Sequence, residues 1–166
     1  LGRGDRQTWT GVDGQEGAPD DIVDHAARLY APDRMAQRFH SFENLLLRAM
    51  DAQTNPDFHF VVLTSTAMPP QYQTQLRDLT ADRPNLHLVI SEAANVNDGL
   101  FPRLSAIRGD APGLVQFRID DDDCLSTDYV ARLADFARRM QGFGPYSYSR
   151  PNGLLLTAYQ GEEPQY

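Results

Sequence analysis

The sequence predicts an α/β domain with a mostly parallel sheet flanked by helices. Helical stretches alternate with short β-branched runs along the chain, and the last long apolar run ends in four consecutive aspartates, Asp120-Asp121-Asp122-Asp123. Strands alternating with helices of such lengths bury both sheet faces, the arrangement of parallel α/β proteins. The length, 166 residues, suits a single domain over 1–166.

Residues 1–31 are rich in Gly, Asp and Gln, without a sustained period; they read as loop with a short helix near Asp21 to Tyr30. Pro32-Asp33 opens a helix, with Phe39, Phe42, Leu46, Ala49 and Met50 on one face. Pro56 in the segment Gln53 to Asp57 breaks it. Phe58 to Thr64 (FHFVVLT) is a β-branched and aromatic run too short for a lone helix and is expected to be a buried strand. Pro69-Pro70 starts a second helix with Tyr72, Leu76 and Leu79 on its apolar face, and Leu86 to Ile90 reads as a second strand. Leu100 to Ile107 is expected to be helical, and Leu114 to Ile119 (LVQFRI) to be a third strand. Ser126 or Thr127 can cap the next helix, whose stripe is Val130, Leu133, Ala137 and Met140 and which Gly142 stops. Leu154 to Thr157 is a final short strand candidate. The core is thus expected over 32–141.

Charge and cysteine usage narrow the function. The net charge of −8 repels phosphate backbones at long range, which argues against nucleic acid as partner. A small anionic substrate remains compatible if a cation or local arginines offset that repulsion. A single cysteine, Cys124, excludes an internal disulfide framework and fits a reducing, cytoplasmic setting. No apolar run approaches the ~20 residues that span a bilayer, so no transmembrane segment is expected.

The aspartates are the sharpest chemical feature. In open α/β sheets, ligands bind beyond the carboxyl ends of the strands, which is where this run is expected. Adjacent carboxylates repel each other, and hard oxygen ligands suit Mg²⁺, Mn²⁺ or Ca²⁺. A metal held by one or two of them can complete its shell with substrate phosphates. Strand alternation puts Gln116, Arg118, Asp120 and Asp122 on one face, so Arg118 should lie near Asp120. The rival reading is a solvated acidic turn that favours the dipole of the following helix. A haloacid-dehalogenase-type phosphatase fits poorly, because Cys124 and Leu125 stand where that motif has Thr or Val.

Two segments resemble GT-A glycosyltransferases: Gln53-Thr54-Asn55-Pro56-Asp57-Phe58 before a β-run, and Phe117-Arg118-Ile119-Asp120-Asp121-Asp122-Asp123 followed by Ser126 to Val130. The second is similar to the metal segment of the bacterial rhamnosyl transferase family, in which an FR-hydrophobic-DDDD run is typical. Together they anchor roughly Arg38 to Met140. The resemblance implies a GT-A-like (Rossmann-like) fold, a nucleoside-diphosphate sugar donor, a saccharide acceptor and Mg²⁺ or Mn²⁺. Carried over, Asp120 and Asp122 match an Asp-x-Asp pair: one contacts the donor's ribose or sugar and the other holds the metal. Asp123 matches a further acidic residue, which gives Asp120, Asp122 and Asp123 as metal candidates. Asp121 and Arg118 are substrate-binding candidates beside them. Where many such enzymes have base-binding aspartates, this chain has Thr64-Ser65-Thr66, so the Thr64 and Ser65 hydroxyls are the substitutes expected there. The resemblance also places the first strand ahead of Leu1, with Leu1-Gly2-Arg3 as its stub. The acceptor side would begin at 142–166, and the catalytic base would lie past Tyr166, leaving the catalytic residue unknown.

Arg103, on the helix ahead of the aspartates, can reach a diphosphate or be a plain exposed charge. His59 and His87 read as satisfied structural histidines. Trp9 and Tyr30 can stack on a base or sugar or, as such residues more often do, cover the core from a loop. Outside enzymes, the chain fits a non-catalytic module whose acidic loop binds Ca²⁺ or a basic partner. Such a module would bind metal alone; a donor site would need metal and nucleotide together.

Overall fold

A computed structural model describes residues 27–111, 114–144 and 147–148. The strand expected at Leu154 to Thr157, most of the helix expected near Asp21 to Tyr30, and Trp9 lie outside these residues. The chain divides into two compact units, Leu1–Ala131 and Arg132–Tyr166.

The first unit is a mixed α/β layer arrangement around a small parallel sheet. Helix α1 (Pro32–Ser41) runs into a π-helical segment (Phe42–Leu47) and then α2 (Arg48–Asp51). Pro32 stands at the first helical position, where a missing N–H costs nothing and the fixed φ favours entry. Met35, Phe39, Phe42, Leu46, Leu47 and Met50 are all buried along this rod. Helical periodicity anticipates Phe39, Phe42, Leu46 and Met50. Met35 and Leu47 are the additions: Met35 lies one turn ahead of Phe39, and the wider π turn brings both Leu46 and Leu47 inward and leaves Leu45 exposed.

Strands β1 (Phe60–Ser65) and β2 (Leu86–Ser91) pair in parallel, with Phe60 opposite Leu86 and Ser65 opposite Ser91. Between them, α3 (Pro70–Thr80) supplies the crossover, again with Pro at its start. One sheet face, including Phe60, Val62, Leu86 and Leu88, packs on the α1–α2 and α3 core. The opposite face meets α4 (Val96–Arg108), which approaches so closely that a Cβ on Gly99 would lie 3.2 Å from Ser91 Oγ and 3.4 Å from Leu63 Cδ1. Helix α4 starts four residues earlier than its hydrophobic pattern suggests. Gly99 and Pro102 interrupt that pattern, but Asn95 caps the helix: its Oδ1 accepts from Asp98 N at 2.9 Å and its Nδ2 donates to Asp98 Oδ2 at 2.7 Å.

One expected element is absent. Leu114 to Ile119 is not a strand, and among the described residues the sheet has only two strands, β1 and β2. Backbone alternation alone does not make a strand; the amides and carbonyls need a neighbouring edge, and no described strand offers one to this run. Leu114, Val115 and Phe117 are 42%, 46% and 41% exposed. Ile119 alone turns inward, against the main core. The Phe117 ring meets that of Tyr129 edge-on, with centroids 5.1 Å apart.

Helix α5 (Tyr129–Arg139) begins in the first unit. Within the second unit, Asp135 pairs with Arg139 at 2.7 Å, and the Phe136 and Tyr148 rings lie 4.8 Å apart.

Candidate functional site

The four aspartates form a tight turn in which Asp123 N donates to the Asp120 carbonyl at 3.2 Å. Closing a four-residue turn this way puts Asp121 and Asp122 at its tip. Two of the four carboxylates are engaged by arginines. Asp120 Oδ1 accepts from Arg118 Nε at 3.1 Å and Nη2 at 2.9 Å, the juxtaposition that strand alternation anticipates. That pair is open to water, with Arg118 80% exposed, so screening leaves it little energetic weight. Asp121 is held from much further along the chain: Arg38 Nε on α1 donates to its Oδ2 at 2.6 Å. Asp122 and Asp123 are exposed and make no ion pair with another described residue.

The segment that follows the turn is fixed by Gln53, just past α2. Its Nε2 donates to the carbonyls of Ala49 and Ser126, both at 2.9 Å, and its Oε1 accepts from Val130 N at 3.0 Å. Alongside, Thr54 N donates to the Thr127 carbonyl at 2.8 Å. Gln53 is buried, so these bonds satisfy polar groups that would be costly unpaired. Hence the rod from α1 to α2 holds the acidic turn at Arg38 and its exit at Gln53. Sequence reasoning reads Gln53 as the start of a helix-to-strand joint and passes over Arg38. A partner 83 residues away leaves no local trace, and Arg38 is one of three arginines on the rod, with Arg34 and Arg48.

The other candidates are dispersed. Thr64 is buried, and its hydroxyl donates to the Met68 sulfur at 3.6 Å, inside the core. Ser65 ends β1, and its Oγ accepts from Ala67 N at 3.1 Å; Ser91 does the same for Ala93 N at the end of β2. Arg103 is exposed on α4, and its charge acts on His87. Cys124 is exposed. His59 and His87 satisfy each other, as expected of structural histidines, with Nδ1 and Nε2 2.9 Å apart and ring centroids 5.1 Å apart. Burial, the facing His59 and the Arg103 charge together push the His87 pKa down. Burial raises the Tyr30 phenol, opposed by the Arg38 charge.

Among the described residues no three His, Cys, Asp or Glu side chains converge on one metal position. The donor set of the turn is nonetheless all hard oxygen, and Asp122 and Asp123 suit a cation whose remaining ligands come from water or phosphate. Two clefts in the first unit are lined by none of the four aspartates. One of about 230 Å³ is lined by Phe58, Phe60 and Leu86; another of about 430 Å³ lies beside Phe39, His40 and Tyr72.

A parallel α/β layer with an acidic turn after its last extended run is consistent with a Rossmann-like class of protein. Over residues 9–162 the chain matches a family model described as "Putative rhamnosyl transferase", and it belongs to that family, whose description is that of a glycosyltransferase. No curated protein and no solved structure matches the chain. No helix among the described residues is long and apolar enough to cross a membrane.

Proposed function

We propose that the chain is the donor-binding part of a GT-A-type glycosyltransferase. It would transfer a sugar, rhamnose first among the candidates, from a nucleoside-diphosphate sugar to a saccharide acceptor. The observation that carries this reading is the acidic turn, clamped through Arg38 to the α1 helix and leaving Asp122 and Asp123 exposed, in a chain of the rhamnosyl transferase family. Mg²⁺ or Mn²⁺ at Asp120, Asp122 and Asp123 would stabilise the departing nucleoside diphosphate as a Lewis acid. Asp121 and Arg118 border that position, and Ser65 lies at the carboxyl end of β1, where a nucleotide base is received in such sheets. With a net charge of −8, a cation or local arginines would offset the long-range repulsion of an anionic donor.

Calorimetry of UDP, dTDP and GDP, each with and without Mn²⁺, tests the reading. Manganese-dependent binding of one nucleotide, abolished in the Asp120→Ala/Asp122→Ala double variant, is the expected result and names the base. Folded protein that binds no nucleotide under any condition would overturn it. Tight metal binding without nucleotide would point instead to a Ca²⁺-type module.

A further inference from the structure

We infer that Arg38 is a positioning residue for the donor site, acting through Asp121, and this rests on the donor-site reading above. The ion pair joins a helix near the start of the described chain to the tip of the acidic turn, at 2.6 Å, with both side chains only partly exposed at 40% and 32%. It differs in kind from the Arg118–Asp120 pair, which links neighbours on one exposed strip and constrains little. A tip residue tied to a packed helix fixes the turn's orientation. Met35 and Phe39, on either side of Arg38 in α1, are core residues, so the guanidinium has a rigid base.

The consequence is a division of labour within the four aspartates. Asp121 is the strut that holds the turn, and Asp122 and Asp123 are carried by it. Partners bonded directly to metal ligands are worth about 10–100-fold in metal affinity; Arg38, one bond further out through Asp121, should fall toward the low end of that range, while a partly solvated ion pair adds little to folding. Loss of Arg38 should therefore appear in ligand binding before it appears in stability.

The test is a double-mutant cycle of Arg38→Ala and Asp121→Ala. Manganese-dependent nucleoside-diphosphate affinity is measured by calorimetry, and melting temperature without ligand is measured in parallel. Arg83→Ala serves as control, since Arg83 makes a two-point ion pair with Asp51 at 2.9 and 2.7 Å that does not touch the turn. We expect each single variant to weaken binding by up to about 10-fold and the double variant to be no weaker than the poorer single. Arg83→Ala should bind as wild type does. Wild-type affinity in Arg38→Ala, or losses that simply multiply in the double variant, would overturn the inference and leave the donor-site reading standing. Absence of metal-dependent binding in the wild type would overturn both.

Discussion

Gln53 has both ends of its amide engaged with backbone, its Nε2 at Ala49 and Ser126 and its Oε1 at Val130. Gln53→Ala strands the Val130 N–H in a buried setting, where an orphaned group costs about 1–3 kcal/mol. Urea unfolding should show a loss of that size, and Gln53→Glu should recover part of it by still accepting from Val130. His87 gives a pH dependence whose sign is fixed. Its folded pKa lies below the ordinary value near 6.5, so the unfolded chain takes up the proton first. Its contribution to stability is complete above about pH 6.5, declines as pH falls toward the folded value, and is constant below that. Thermal melts across pH 5 to 8 should show this slope, and His87→Asn should flatten it. Neither residue's partners could be read from the sequence. Gln53 lies in a conspicuous joint, but its bonds reach Ser126 and Val130; His87 meets the ring of His59, the residue before β1.

Elements were more legible than their contacts. Pro32 and Pro70 mark the starts of α1 and α3 as a first-turn proline should, and the β-branched runs became β1 and β2 within a residue or two of their expected limits. Leu114 to Ile119 was misread because its composition is that of a strand, while strand formation depends on a neighbour that composition cannot report. Hydrogen exchange tests this difference: amides of Phe60–Ser65 should be protected by the ladder, and those of 114–119 should exchange faster. Helix α4 was half legible, since Gly99 looks like a weak point in a helical pattern until its approach to Ser91 is seen. Gly99→Ala gains about 1 kcal/mol of helix propensity against a 3.2 Å contact and should be nearly neutral. Gly99→Val adds a β-branch at the same contact and should cost about 1–3 kcal/mol by urea unfolding.

At the scale of the whole molecule, the acidic run and the family it indicates were visible in the sequence. What holds that run in place was not, because Arg38 and Gln53 come from one continuous rod and meet the turn only in three dimensions. The π-helical segment Phe42–Leu47 lies between those two residues. It acts as a phase setting: a plain α-helix advances the side chains by about 100° per residue, and the wider π turn, with its i→i+5 pattern, takes up one extra residue, so Arg38 keeps its facing relative to Gln53. Deleting the exposed Leu45 would let the rod close into plain α-helix. With the Gln53 end anchored, the lost residue and the tighter turn offset each other, and Arg38 would still face Asp121. Such a deletion should preserve helix content by circular dichroism and leave manganese-dependent binding close to that of the parent chain, a change of count without a change of timing.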